Sequence, residues 1–125
     1  MIIAVDFDGT VVDHRYPDVG PDAPGAVDVL SRLAADGHHL ILWTMRSEES
    51  LIDAKKWFDD RGIPLWGVLD NPQQHEWTSS RKVYAQLYID DAAFGAPLTN
   101  ISGFKRPVID WSAVANALIT ENVEA

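Results

Sequence analysis

The sequence contains no cysteine. That excludes disulfides, thiolate nucleophiles and zinc–thiolate centres. No apolar run approaches the ~20 residues that a membrane-spanning helix requires. The first residues run straight into an apolar strand pattern, without a basic start or a small-residue cleavage site. The expectation is therefore a protein with no export signal and no membrane association, placed in the cytoplasm. Basic residues are scarce: ten Lys and Arg stand against nineteen Asp and Glu, for a net charge of −9. They are scattered, with no basic stripe. A nucleic-acid backbone would be repelled rather than steered in, so non-specific nucleic-acid binding is not expected. A small anionic substrate fits this charge only where a metal ion and a few local cations override the global field.

What is present is a chain of 125 residues, 46% of them hydrophobic. That suits one globular domain over residues 1–125 with a single core. Residues 2–7 form a near-continuous apolar strand, of the kind found in parallel sheets covered on both faces. Residues 8–24 are a Gly/Pro/Asp-rich loop. In "GAVDVLSRLAADG", Val27, Leu30, Leu33 and Ala34 fall at helical spacing, and Gly37 stops the helix. A second strand is predicted over about 38–43. Ser47 then caps a helix with two glutamates in its first turn. Leu51, Ile52, Lys55 and Phe58 are predicted to trace its inner side, and Gly62 to end it. A third strand is expected at about 65–69, followed by a polar loop through 81. A fourth lies at about 85–89. Residues 92–106 read as loop, and Asp110 caps a C-terminal helix. Trp43, Trp57 and Trp66 read as packing residues, while Trp77 lies in a loop that could border a site.

The alternation of strands and helices predicts an open parallel α/β sheet of Rossmann-like type, with helices on both faces and right-handed crossovers. Ligands of such sheets bind outside the carboxyl ends of the strands. Asp6 and Asp8 follow the first strand, Thr44 and Arg46 the second, Asp70 the third, and Asp90 and Asp91 the fourth. Residues i and i+2 of a strand share a face, about 7 Å apart. Asp6 and Asp8 thus start on one side, and Asp90 can converge on them. Two such charges at 4 Å repel by about 4 kcal/mol at an effective dielectric near 20. An oxygen-only set that must offset this repulsion suits Mg²⁺, which keeps several waters and is often shared with a phosphate. Alone, Asp-x-Asp-Gly also describes a turn, and Asp90–Asp91 a helix cap or solvated loop. Their joint placement at two strand ends points to a site. Arg46, two residues past Thr44, has a fork suited to phosphate or carboxylate, or to pairing with Glu48 or Glu49 on the surface. The four histidines show no paired ligand spacing.

"VDFDGTVV" resembles the first motif of the haloacid dehalogenase superfamily of aspartate-nucleophile phosphohydrolases. "LILWT" is similar to its second motif, a strand ending in Thr or Ser, and "LYIDD" to its fourth, a strand ending in paired acids. Lys82 is the best match to the third-motif lysine. The resemblance spans residues 2–91. It implies Asp6 as the nucleophile forming an aspartyl-phosphate. Asp8 would be general acid and then base, its backbone carbonyl also a metal ligand. Asp6, Asp8, Asp90 and Asp91 would surround Mg²⁺. Thr44 and Lys82 would hold phosphoryl oxygens, beside the loop amides from Gly9 onward. Members of this superfamily often carry a cap domain after the first motif or between the second and third. Here residues 9–24 and 45–81 hold only what the core needs, so a minimal, capless member is expected.

The expected activity is Mg²⁺-dependent hydrolysis of a phosphomonoester, on a small phosphorylated molecule or a phosphorylated polymer end. Two alternatives share the features. One is a receiver-like phospho-signalling domain, whose order of acids, Thr/Ser and Lys along the strands differs from this one. The other is an inactive binding protein on the same fold. Phe94, Leu98 and Phe104 in the late loop fit either a homo-oligomer contact or cover for the sheet edge.

Overall fold

The computed structural model describes residues 1–119. Four strands form one parallel sheet: β1 (Ile2–Val5), β2 (His39–Leu42), β3 (Gly67–Val68) and β4 (Leu87–Ile89), in the order β3-β2-β1-β4. Helix α1 (Ala26–Ala35) joins β1 to β2, and α2 (Glu48–Asp60) joins β2 to β3. Both steps carry the chain outward in one direction. The chain then returns past β1 and lays β4 on its other side. No α-helix separates β3 from β4; a single 3₁₀ turn at Gln74–Glu76 stands between them. Helix α3 (Trp111–Leu118) closes the described chain. The architecture is a parallel α/β sheet flanked by helices, consistent with the expected Rossmann-like class. Among the described residues, no helix is long and apolar enough to cross a membrane.

One hydrophobic cluster holds the layers together. Ile3 and Val5 of β1, Leu40 and Leu42 of β2 and Ile89 of β4 share it with Leu30 and Leu33 of α1, Trp57 and Phe58 of α2, and Trp111 and Val114 of α3. Ala4 and Ile41, which alternate with these strand residues, are also buried but stand outside that cluster, as the two-residue period of a strand requires. The inner side of α2 differs from expectation. Ala54, Trp57 and Phe58 are buried, whereas Ile52 is 56% exposed and Lys55 faces solvent. Leu51 still packs against the core cluster, but Trp57 joins Phe58 on the inner side, where it packs edge-on against Phe7. Ser47 occupies the predicted N-cap, and Ser50 Oγ accepts from its backbone N–H at 3.3 Å.

Two further differences are local. The third strand shortens to Gly67–Val68. The segment read as loop contains half of a small antiparallel sheet, β5 (Leu98–Thr99) against β6 (Val108–Ile109). Strands of two residues are too short to carry a periodic signal. Phe94 is fully exposed and Leu98 47% exposed, whereas Phe104 is half-buried against the core cluster. Asp110 caps α3 as expected, its Oδ1 accepting from the N–H groups of Ser112 and Ala113 at 3.1 and 3.4 Å. Trp111 follows it, fully inside, and its indole N–H donates to the carbonyl of Thr10 at 2.8 Å. That bond ties the last helix to the loop leaving β1.

Candidate active site

The strand register places the acids. Val5 pairs with Leu42 on one side and Ile89 on the other. The next residues, Asp6 and Asp90, therefore leave the sheet level with each other on adjacent strands. Asp6 is fixed by its N–H to the carbonyl of Ile89 at 3.0 Å. One carboxylate oxygen from each of Asp6, Asp90 and Asp91 lies within 4.8 Å of the others. The Thr10 hydroxyl sits between two of them, 3.0 Å from Asp6 Oδ2 and 3.3 Å from Asp91 Oδ1. Having one hydrogen, it donates to one of them at a time.

Electrostatics follow from this crowding. Burial pushes the Asp6 carboxyl up to about 8, helped by the adjoining carboxyl of Asp91 and the charge of Asp90; the Phe7 N–H and the Thr10 hydroxyl pull the other way. Half-buried carboxylates that crowd one another disfavour ionisation unless a cation joins them. The donor set is all oxygen, as hard divalent cations prefer. Ligand oxygens stand about 2.1 Å from Mg²⁺, so opposite ones are about 4 Å apart. The trio therefore fits such an ion with small side-chain movements.

A stability prediction arises here. Asp6 is harder to ionise folded than unfolded, so its contribution is complete below its ordinary value of 3.8 and is lost as pH rises through about 8. Asp13 behaves oppositely. Burial alone would raise its carboxyl, but the N–H groups of Lys105 and His14 and the Arg15 side chain more than offset this and hold it low. Its contribution is constant above the ordinary carboxylate range. Between pH 5 and pH 8 the metal-free protein should therefore lose thermal stability through Asp6. Mg²⁺ should raise the melting temperature more at pH 8 than at pH 5. Melting curves with and without the ion check this; equal shifts at both pH values would contradict it.

Asp8 does not join the trio. Both its oxygens accept from Arg46, Oδ2 from Nε and Oδ1 from Nη2, each at 2.8 Å. Arg46 is 2% exposed. Its Nη1 donates to the carbonyls of Pro17 and Ser50 at 3.1 and 3.2 Å, and its Nη2 also to that of Asp18 at 2.8 Å. All five guanidinium N–H groups are thus occupied. The rings of Phe7 and Tyr16 lie 4.9 and 5.2 Å from its central carbon. This corrects the expectation that Arg46 receives substrate: it has no donor left, and it does not pair with Glu48 or Glu49. It fastens the loop at 16–18 and the start of α2 to Asp8.

The remaining expected residues divide. Thr44 lies two residues past β2, its hydroxyl accepting from the Arg46 N–H at 3.2 Å, with its own hydrogen left to give. Gly9 has φ +83, and a Cβ there would collide with His14 Nε2 and Asp91 Oδ2, so only glycine lets these two meet. Lys82 is not brought to the acids. Its ammonium lies over the Tyr88 ring, 5.5 Å from the centroid, and forms no ion pair among the described residues. Leu87 and Ile89 pack into the core cluster, so Tyr88 between them faces the other way and takes Lys82 with it. Asp70 is exposed and outside the trio. Trp77 is exposed and packs edge-on against Tyr84.

Sequence reasoning missed His14. Its Nε2 lies 3.0 Å from Asp91 Oδ2, while Arg106 Nη2 lies 3.1 Å from its Nδ1. An arginine only donates, so Nδ1 accepts and Nε2–H donates to Asp91. It missed Asp13 as well, which is fully buried and accepts from His14 N–H, Arg15 Nε and Lys105 N–H. The contacts to Asp91, Lys105 and Arg106 span 77 to 92 residues of chain. No local spacing rule reaches that far.

The geometry defines an α/β protein with a carboxylate trio at the carboxyl edge of a parallel sheet. A solved structure, described as a conserved protein coded by a locus from Bacteroides thetaiotaomicron, is 39% identical, with a TM-score of 0.75 over 91% of this chain and 85% of that one. This chain belongs to the same family as that conserved protein. The likeness gives fold and kinship and assigns no activity. No family model matches the chain, and no curated protein does.

Proposed function

We propose that this chain is a Mg²⁺-dependent phosphatase of the haloacid dehalogenase type, with a capless core, acting on a phosphorylated small molecule or polymer end. The observation that supports this is the meeting of Asp6 with Asp90 and Asp91 at adjacent strand ends. Asp6 is the nucleophile. Its Oδ bonds to phosphorus as the bond to the leaving oxygen breaks, and water later returns the carboxylate and releases phosphate. Asp6, Asp90 and Asp91 are the side chains that would hold Mg²⁺, together with the Asp8 carbonyl. The ion supplies charge neutralisation for the phosphoryl oxygens. Thr44 has a hydroxyl hydrogen to give to one of those oxygens. Asp8 occupies the general-acid position, but a carboxylate that accepts both arms of the Arg46 fork has no proton to give. That duty belongs to a state in which Arg46 has released one oxygen.

The fork also favours a second reading, a protein that binds a divalent cation and a phosphoryl group without turnover. One assay separates the two. With p-nitrophenyl phosphate and Mg²⁺, the protein should release inorganic phosphate, and EDTA should stop release. Binding of Mg²⁺ by calorimetry without any release would replace the phosphatase reading by the second.

A further inference from the structure

The site is rich in carboxylates, and an anionic substrate needs a cation beside them. The cations expected to serve are elsewhere: Lys82 lies over Tyr88, and Arg46 has every donor engaged. Arg15 holds Asp13 through Nε and the Gly103 carbonyl through Nη2. Arg106 differs. Its side chain bonds directly to the His14 ring whose other nitrogen donates to Asp91. Among the described residues its guanidinium hydrogen-bonds only through Nη2, to the His14 ring, and Arg106 is exposed, which leaves its other N–H groups available.

Its position is built rather than incidental. The Asp13 carboxylate, 0% exposed, takes the N–H of Lys105 on both oxygens at 3.0 and 3.1 Å. Arg15 adds its bond to Gly103 from the same clamp. A buried carboxylate is costly unless fully paired. Asp13 takes no part in the proposed chemistry, and its pairing docks the segment carrying Arg106 against the loop after β1. His14, adjacent to Asp13, is thereby held between Arg106 and Asp91.

We propose that Arg106 binds a second anionic group of the substrate, so that the site prefers phosphoryl compounds bearing another phosphate or carboxylate. An imidazole ring and two hydrogen bonds separate its guanidinium from Asp91. With His14 between them, the guanidinium suits a group further along the same molecule rather than the phosphoryl group over Asp6. A planar fork with free donors recognises either anion bidentately. The inference rests on the phosphatase reading.

The test compares paired phosphomonoesters with Mg²⁺: 3-phosphoglycerate against its carboxamide and against glycerol 3-phosphate, and a sugar bisphosphate against the corresponding monophosphate. The wild-type protein should favour the doubly anionic member in kcat/KM. Arg106→Gln should cut that preference by about 10- to 100-fold, the worth of a hydrogen bond between charged groups, and should do so through KM rather than kcat. Arg106→Lys should recover part of it. A preference unchanged in Arg106→Gln, or both members falling alike, overturns the inference while leaving the phosphatase reading intact. Absence of any phosphate release from every substrate overturns the phosphatase reading and this inference with it.

Discussion

Asp6→Asn should abolish phosphate release, by a factor on the order of 10⁴ to 10⁶, the range seen when a catalytic nucleophile is removed. The amide is nearly isosteric, but it cannot form the phosphoryl bond and carries no charge. The loss should not come from unfolding. Asp6 is half-buried beside Asp90 and Asp91, and its carboxyl is pushed up to about 8 by that setting. Removing its charge relieves crowding, so the metal-free variant should melt at or above the wild-type temperature at pH 8. The same variant should lose most of the Mg²⁺-dependent shift in melting temperature, since one of three carboxylates is gone. Phosphate release and melting curves on one preparation check all three outcomes. A variant that keeps a tenth of the wild-type rate would remove Asp6 from the nucleophile's role.

The strands at 2–5, 39–42 and 87–89 and the starts of α2 and α3 were legible because local rules determine them. Apolar runs mark buried parallel strands, and Ser47 and Asp110 are caps whose chemistry is complete within three residues. The meeting of Asp6 with Asp90 and Asp91 was legible for a different reason. Parallel pairing brings residues that follow adjacent strands to one edge, whatever separates them in sequence. Side-chain partners obey no such rule. Nothing in "TMRSEE" says that Arg46 turns inward to Asp8 rather than outward to a glutamate; the pocket of carbonyls that receives it comes from residues 17, 18 and 50. Lys82 shows the converse. It was the best match to a motif lysine because the other lysines fit worse, despite its short distance from Asp90, but the alternation of β4 carries Tyr88, and the lysine resting on it, away from the core side.

Arg46→Met should destabilise the protein by about 3–5 kcal/mol, the usual cost of removing one partner of a buried ion pair. Met roughly keeps the volume between Phe7 and Tyr16, so the loss is electrostatic and hydrogen-bonded rather than a cavity. It strands the Asp8 carboxylate and removes the donor from three carbonyls. For a chain of this size the melting temperature should fall by roughly 10–20 °C. Urea unfolding of the single variants and of Asp8→Asn/Arg46→Met measures the coupling. The double variant should regain at least half the loss, because the neutral amide no longer leaves a half-buried charge unpaired. Equal instability in single and double variants would show that the carbonyl contacts, not the Asp8 pair, carry the effect. Turnover in the same double variant then addresses the two duties of Asp8. A residue that only anchors Arg46 loses its importance once Arg46 is gone, and hydrolysis should return with stability. A residue that also carries the leaving-group proton leaves stability restored and hydrolysis of alkyl phosphates still down by about 10²- to 10⁴-fold. The phosphatase reading expects the second result, since it requires the fork to open during turnover.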